Sequence, residues 1–278
     1  MKTNKAIILC AGMSSRMKKV VEGENLPDFL KTDALNKPKS MIGLGPKQEP
    51  FLIYLIKAYY DAGVNQFCLV LNEKDKVSKD YFLKAQHSFL RDCSFQFAIQ
   101  SIPEGRTKPL GTAQALEIGL KAVPEWSKSS FLVSNGDNLY SSTVIHTLAS
   151  SEEKNAMVAY DARTVHPDQE RIKNYALLKI EEDQLIDIVE KPDEETLKNW
   201  GEPWVSMNIW KLYYDEVLPI LESTPMNPIR NEKELPEAMR RLSAKHNMFC
   251  YFTKENVPDL TSQVDILKVR DIVHKIRI

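Results

Sequence analysis

The stretch AIILCAGMSSRM, residues 6–17, decides the fold. Its first part, residues 6–10, is a continuous apolar run, which is typical of a strand buried on both faces. Gly12 then opens a turn of small residues, where backbone N–H groups can approach an anion closely. Arg16 offers a planar fork of donors to phosphate oxygens. The residues alone allow two interpretations, a phosphate-binding turn or an ordinary strand-to-helix turn with a surface Arg.

Further apolar runs alternate with helical patterns along the first half of the chain. The predicted strands cover residues 66–71, 95–100 and 130–134, and the predicted helices cover 51–62, 81–90 and 112–123. Residues 13–37 are polar and predicted to be irregular. The alternation predicts an α/β protein, a three-layer α/β/α sandwich with a Rossmann-like, mixed, mostly parallel central sheet.

The second half is less regular. Its predicted strands cover residues 156–161, 175–180, 185–189, 204–212 and 247–253, and its predicted helices cover 234–245 and 264–275. No Gly/Ser/Pro-rich linker separates the halves. We therefore predict one domain over residues 1–278, with a nucleotide-binding half at about 1–150 and an acceptor-binding half at about 151–278.

Composition and charge exclude several classes of protein. Lys and Arg number 37 against 38 Asp and Glu, so no basic field exists that would hold nucleic acid by its backbone. Four scattered cysteines lack metal-site spacing and are expected to be reduced thiols. The apolar run near the N-terminus is too short for a secretory signal or a membrane span. We expect a cytoplasmic protein without a nucleic-acid or membrane partner, and its oligomeric state is left open.

A second basic segment, NKPKSMI at residues 36–42, follows the first. Lys39 is a compact cation that could neutralise charge during phosphoryl transfer, or it could belong to a solvated basic loop. Together the two segments resemble the signature of the sugar-phosphate nucleotidyltransferase family. That signature is an apolar strand, A-G-x-x-[ST]-R-[ML], a spacer, and K-P-K-x-[ML].

The resemblance implies a fold of the nucleotide-diphospho-sugar transferase type and a Mg²⁺-dependent reaction. An NTP would be joined to a phosphorylated small-molecule acceptor, expected to be a sugar 1-phosphate, with release of pyrophosphate. Arg16 and Lys39 would be the catalytic cations that clasp the NTP phosphates. The residues of the turn that would bind nucleotide are Ala11, Gly12, Met13 and Ser14. The 22-residue spacer between Arg16 and Lys39 is longer than the family's and could form a flap.

Two further segments resemble nucleotide-binding motifs. The family reads the base with a Gln on a strand and a G-[TL]-A helix start, which Gln100, Gly111 and Thr112 match. The alternative is a simple helix start with Thr112 as its N-cap. The intervening loop at 101–109 is long and basic, and it could contact phosphate or acceptor.

Asp137 follows a buried run and Gly136, at the place where α/β sheets bind ligands. It fits the family's G-D metal position, and Gly136 would lie against the nucleotide. Residues 258–266 resemble D-[IL]-G-T-P-E-D-L, which makes Asp259 the second metal carboxylate. Mg²⁺ takes hard oxygen ligands and one or two protein carboxylates. The alternative for Asp137 is a plain polar turn.

The acceptor site is expected from two motifs in the second half. The family's E-K-P motif is matched by Glu190, Lys191 and Pro192. In that motif the Glu accepts hydrogen bonds from acceptor hydroxyls, and the Lys contacts the acceptor phosphate. The alternative is an exposed ion pair. Asn208 lies where the family has an N-x-G-[IV]-Y strand, although the Gly is missing here.

Other functions stay open at this point. One is a cytidylyltransferase that acts on a phosphoalcohol such as phosphocholine. Another is a GT-A glycosyltransferase, although Asp137-Asn138-Leu139 lacks the second acid of D-x-D. A third is a non-catalytic homologue that senses nucleotide. The sequence does not decide the NTP, because Gln100 suits uracil or thymine and its amide can also flip.

Overall fold

The computed structural model describes residues 1–19, 26–165, 172, 175–190, 192–200 and 204–278, without the side chains of 197–199. The strands are β1 (Lys5–Leu9), β2 (Gln66–Asn72), β3 (Ser94–Gln100), β4 (Ser130–Asn135), β5 (Ala156–Asp161), β6 (Ala176–Glu181), β7 (Gln184–Glu190), β8 (Trp204–Tyr213) and β9 (Phe249–Thr253). The α-helices are α1 (Asp28–Asn36), α2 (Phe51–Asp61), α3 (Ser78–Lys84), α4 (Thr112–Lys121), α5 (Ser142–Ser150), α6 (Ala162–Val165), α7 (Glu194–Asn199), α8 (Tyr214–Ser223), α9 (Leu235–Ser243) and α10 (Asp265–Val273).

The strands form a mixed sheet in the order β3-β2-β1-β4-β8-β5-β9-β7-β6, and β6 also pairs with the start of β8. The β3-β2-β1-β4 part is entirely parallel. Beyond β4, the pairings are antiparallel except for β5 with β9. The α/β class is therefore confirmed. The sheet is parallel, as expected, only in the first half of the chain. In the second half most pairings are antiparallel, because β6 and β7 form a hairpin and β8 runs in the reverse direction.

Helices cover both faces of the sheet, and the alternation of β1 shows how. Ala6 and Ile8 point into one apolar cluster with residues of α1, α2, α5 and α10. Ile7 and Leu9 point into the opposite cluster with residues of α4, α8 and α9. Because successive side chains of a strand alternate between faces, a strand buried on both sides must be apolar throughout.

Several predictions of secondary structure were wrong or incomplete, and α5 is a helix that had no predicted counterpart. Residues 28–36, predicted to be irregular, form α1, which buries Leu30 and Ala34 one turn apart. The helix predicted over 81–90 stops at Lys84, and a separate 3₁₀ turn follows at Ser88–Asp92. α8 had no predicted counterpart, although it packs with α4 and α9. α1 buries too few positions to give a clear periodic signal, and Pro219 interrupts the helical pattern of α8.

The two halves of the chain meet through β4 and β8, which pair antiparallel from Ser130↔Tyr213 to Ser134↔Ile209. The sheet therefore continues across the boundary at about residue 150. None of the helices in the described ranges combines the length and the apolar character that crossing a bilayer requires.

Lys211 is a fully buried cation on β8. Its Nζ donates to the carbonyl oxygens of Met1 and Ser151, both at 2.6 Å. Desolvation by burial lowers the pKa of Lys211 to about 8 from an ordinary value of 10.5. The ammonium is held by two neutral acceptors, so its deprotonation relieves a desolvation penalty.

Replacing Lys211 by Met should remove a rise of stability with pH. Between pH 8 and 10.5 the unfolded chain binds more protons at this group than the folded one, so the wild type gains unfolding free energy as pH rises. Relative to Lys211→Met, the gain from pH 8 to pH 9.5 should be about 1–2 kcal/mol, measured by urea denaturation. If the unfolding free energies of the two proteins changed equally with pH, the prediction would be contradicted.

Candidate functional site

A cavity of about 360 Å³ opens at the carboxyl ends of the parallel strands. β1 leads into it through Cys10 and Ala11, β3 ends at Gln100, and β4 ends at Asn135. Carboxyl ends of parallel strands are where open α/β sheets bind ligands. The topology thus places the polar residues that follow several strands around one space.

Most of the residues predicted to bind nucleotide or metal line this cavity. They are Ala11, Gly12, Met13, Lys39, Gln100, Gly111, Thr112, Gly136 and Asp137. Of the predicted turn, Ser14 does not line the cavity, whereas the neighbouring Ser15 does.

The turn after β1 is fixed by its neighbours. Asn72, at the end of β2, donates through Nδ2 to Ala11 O at 3.1 Å and contacts Met13 Sδ at 3.5 Å. Ser14 has a φ of 54° and accepts from Lys39 N at 3.2 Å. The two sequence motifs that carry the resemblance are therefore joined directly in the structure.

Three glycines line the cavity, and the reason why each position holds Gly differs. A Cβ on Gly12 would meet nothing within 4 Å, so no packing constraint of this chain explains it. A Cβ on Gly136 would lie 2.3 Å from Cys10 Sγ. Gly111 has a φ of 112°, and a Cβ there would lie 2.4 Å from Lys233 O. Gly136 and Gly111 are thus required by packing, whereas Gly12 leaves its backbone open to a ligand.

Lys39 and Asp137 form an ion pair inside the cavity, between Nζ and Oδ2. Their side chains are only 24% and 16% exposed. Lys39 begins a 3₁₀ turn whose following residues, Ser40 and Met41, are buried and anchor it. The predicted catalytic cation and the predicted metal carboxylate are therefore in direct contact.

Asp259 does not line the cavity, but its backbone segment pairs with the one after β4. Asn138 and Asp259 form an isolated antiparallel bridge. Leu139 N donates to Pro258 O and Leu260 N donates to Asp137 O, both at 2.9 Å. Two acids 122 positions apart in sequence are thus brought onto adjacent backbone segments.

The Asp259 carboxyl has an unusual pKa. Burial in the first place, and the nearby Asp137 charge in the second, raise its pKa to about 6, although the Thr261 hydroxyl donates to Oδ2 at 2.6 Å. Two such carboxylates supply the hard oxygen donors that Mg²⁺ prefers, and a cation would offset their repulsion. Among the described residues, no cluster of three or more His, Cys, Asp or Glu side chains offers a richer metal site.

Gln100 is buried, and hydrogen bonds fix its orientation. Its Nε2 donates to Gly111 O at 2.9 Å and to Gln114 Oε1 at 2.8 Å. The carbonyl oxygen of Gly111, which also accepts from Ala115 N at 3.1 Å, can only accept, so the amide is held with Nε2 towards α4. The flip that the sequence left open is therefore restricted, and Oε1 is the atom that can serve a ligand.

A family model described as nucleotidyl transferase matches residues 32–272. The chain belongs to the nucleotidyl transferase family. A protein of Bacillus subtilis (strain 168) named "Probable glucose-1-phosphate cytidylyltransferase" is 26% identical over 239 residues, which are 83% of this chain and 86% of that protein. The "Bifunctional protein GlmU" of Methanococcus vannielii is 26% identical over 88% of this chain, which spans about half (49%) of that protein's length.

Solved structures support the same fold. A UDP-glucose pyrophosphorylase complexed with UDP-glucose superposes with a TM-score of 0.73 at 19% identity, covering 99% of both chains. The UTP-bound enzyme from Acinetobacter baumannii gives 0.72 at 18% identity, covering 97% of this chain and 92% of that one. The nucleotidyl transferase fold is therefore shown over nearly the whole chain.

Arg16 of this nucleotidyl transferase does not line the cavity. Its side chain is exposed and takes part in no hydrogen bond or ion pair recorded among the described residues. It precedes residues 20–25, which lie outside the described part. Its catalytic role stays a prediction.

Thr112 has a structural task that its sequence position did not suggest. It is not the N-cap of α4, because Gly111 occupies that position without a side-chain bond. The hydroxyl oxygen of Thr112 instead accepts from Leu235 N at 3.0 Å, at the first residue of α9. The alternative interpretation of Thr112 as an N-cap was therefore wrong, and this residue joins the two halves.

The predicted acceptor residues are not gathered in the cavity that holds Asp137. Glu190 lines a second cavity of about 390 Å³, where it lies 3.6 Å from Arg230. Lys191 lies outside the described residues. The acceptor role of both residues stays a prediction.

Asn208 lies in a bulge of β8. Met157 pairs with Trp210 and Ala159 pairs with Ser206, so three residues of β8 face Val158 alone.

Asn208 has a φ of 58°, a conformation that Gly adopts freely and Asn tolerates best among the other residues. Asn208 therefore occupies a backbone position that would also suit Gly. The Tyr140 hydroxyl and the Asn138 amide both donate to Met207 O, at 2.6 and 3.4 Å, and so hold the bulge beside the Asp137 segment.

Sequence reasoning missed Glu232, which lines the cavity from the second half of the chain. It pairs with Lys108 of the 101–109 loop, which also lines the cavity. The basic character of that loop was a signal for Lys108. No local pattern pointed to Glu232.

Asp259→Asn should stabilise the metal-free protein. At pH 8, in the presence of a chelator, the melting temperature should rise by a few degrees because a buried carboxylate facing Asp137 is removed. The gain should shrink at pH 5, below the pKa of about 6, where the wild-type carboxyl is mostly protonated. Differential scanning fluorimetry measures both values, with the exposed Asp80→Asn as control. A gain that is absent at pH 8 would contradict the predicted repulsion.

Proposed function

We propose that this chain is a Mg²⁺-dependent nucleotidyltransferase that condenses an NTP with a sugar 1-phosphate, to give an NDP-sugar and pyrophosphate. The observation that carries the proposal is the convergence of Lys39, Asp137 and the Asp259 segment at the carboxyl ends of β1 and β4. Family membership supports the same class of reaction.

The reaction needs placement and charge more than covalent help. An oxygen of the acceptor phosphate attacks the α-phosphorus of the NTP. The bond between this phosphorus and the oxygen that bridges to the β-phosphate breaks, and pyrophosphate carries the electron pair away. The attacking oxygen is already ionised, so no general base is required. Catalysis then rests on in-line placement and preorganised positive charge.

Each charged residue has a task in this scheme. Asp137 and Asp259 would hold Mg²⁺, which would supply positive charge to the phosphates. Lys39 lies against Asp137 and would lend its charge to the phosphate oxygens. Arg16 would join from the rim of the turn after β1, as the family signature implies.

The turn after β1 would hold the polyphosphate. Gly12 is exposed and leaves its backbone open, while Asn72 fixes the flanking residues Ala11 and Met13. Backbone N–H groups held in such a turn are ready-made anion donors. Gln100 would face the base with Oε1.

A sugar 1-phosphate is the acceptor class that the relatives suggest. The Bacillus subtilis relative is named for glucose 1-phosphate, and one solved relative holds UDP-glucose. On the protein side, Glu190 and Lys191 would bind the sugar and its phosphate. The bulge at Asn208 would offer polar groups beside the metal. A phosphoalcohol acceptor is the alternative.

The test is a pyrophosphate-release screen of the four NTPs against sugar 1-phosphates and phosphocholine, with and without Mg²⁺. The wild type should turn over with a sugar 1-phosphate only in the presence of Mg²⁺. Asp137→Asn should lower kcat/KM by about 10²-fold or more, because one metal carboxylate is lost. Asp183→Asn, in the exposed β6–β7 turn, should behave as wild type.

Other outcomes would point elsewhere. Release of NDP from an NDP-sugar, without pyrophosphate, would favour a glycosyltransferase. Turnover with phosphocholine alone would favour the phosphoalcohol alternative. An Asp137→Asn protein with normal turnover would exclude the proposed metal site.

A further inference from the structure

The segment between α8 and α9 closes one side of the nucleotide cavity. We call residues 227–234 the 227–234 loop. Lys233 N donates to Leu110 O at 2.5 Å, and Ala113 N donates to Lys233 O at 3.0 Å. Arg106 Nη2 donates to Asn231 O at 2.5 Å. Backbone groups of the loop are thus bonded to the segment that leads into α4.

Glu232 is the residue of this loop that lines the cavity. If Gly111 carried a Cβ, that atom would lie 3.1 Å from the Cβ of Glu232. The carboxylate of Glu232 pairs with Lys108 Nζ. Gln100 lies on the other side of the same glycine, with Nε2 on Gly111 O at 2.9 Å. Gly111 therefore has the Glu232 side chain against its α-carbon and the Gln100 amide against its carbonyl.

Two donors beside this glycine are already used. Gln100 Nε2 is bonded to Gly111 O and Gln114 Oε1, and Ala113 N is bonded to Lys233 O. Leu110 O accepts from Lys233 N. Lys108 Nζ already pairs with Oε1 of Glu232, so the acceptors left for a ligand at this wall are Gln100 Oε1 and Glu232 Oε2, on a side chain that is 27% exposed. A pair of acceptors demands a ligand edge that carries donors.

We propose that Glu232 is a specificity-determining residue that selects a nucleobase with an exocyclic amino group, so that CTP binds better than UTP. This inference rests on the proposed function, since it concerns the base of the same NTP. The amino group of cytosine has two N–H donors, whereas uracil carries a carbonyl oxygen at that position. If the uracil carbonyl oxygen faces the Glu232 carboxylate, two acceptors meet with no hydrogen between them. Such a contact is costly when both oxygens are part-buried.

A merely structural role of Glu232 is distinguishable. The loop is anchored by backbone groups of Asn231 and Lys233 and by the Thr112 hydroxyl, none of which needs the Glu232 carboxylate. Removing the charge with Glu232→Gln keeps the size of the side chain. The protein should therefore keep its fold while its preference between bases changes.

The experiment is isothermal titration calorimetry of CTP and UTP, with Mg²⁺, on the wild type, Glu232→Gln and Glu222→Gln. The wild type should bind CTP about 10-fold or more tightly than UTP, as expected for one matched or mismatched polar edge. Glu232→Gln should reduce this ratio by about 10-fold with an unchanged melting temperature. Glu222, which pairs with Lys121 and does not line the cavity, provides the control that should keep the wild-type ratio.

Binding and turnover are separate readouts. A CTP preference that Glu232→Gln removes supports the inference, whether or not pyrophosphate is released in the screen above. A wild type that binds UTP as well as CTP overturns it. So does a Glu232→Gln protein with the wild-type ratio, or a protein that binds neither nucleotide. Absence of pyrophosphate release alone would count against the proposed reaction and not against base selection.

Discussion

The pairing of the segment after β4 with the segment before α10 is the constraint on which the site depends. The bonds from Leu139 N to Pro258 O and from Leu260 N to Asp137 O set Asp259 beside the end of the parallel sheet. The pairing has a cost, because burial in the first place and the Asp137 charge in the second raise the pKa of Asp259. Repulsion between carboxylates is tolerated at functional sites when a cation offsets it on binding. In this protein, Lys39 already lies on Asp137 and offsets part of it.

The second half of the chain completes a site that the first half begins. β8 meets β4, and its bulge at Asn208 lies beside the Asp137 segment through Tyr140 and Asn138. The 227–234 loop reaches the start of α4 and brings Glu232 to the cavity. Arg230, on the same loop, lies 3.6 Å from Glu190. One loop therefore touches both the predicted nucleotide site and a predicted acceptor residue.

How much the sequence could predict depended on the range of the contacts. The apolar run of β1, the turn at Gly12 and the position of Asp137 after β4 are local signals, and they gave the α/β class and most of the cavity. Glu232 has no local signal, because its role arises from a contact with Gly111 more than a hundred residues away. The helix α1 was hidden by having only Leu30 and Ala34 to bury. The missing Gly near Asn208 looked like a departure until the backbone showed Asn in the left-handed conformation.

The most direct measurement of the central claim is anomalous diffraction from crystals grown with Mn²⁺ and a non-hydrolysable NTP analogue. Mn²⁺ accepts the same hard oxygen ligands as Mg²⁺. The account predicts one strong anomalous peak about 2.1 Å from carboxylate oxygens of both Asp137 and Asp259, with the α-phosphate as a further ligand. A peak bound to phosphates alone, or to other acids of the chain, would contradict it.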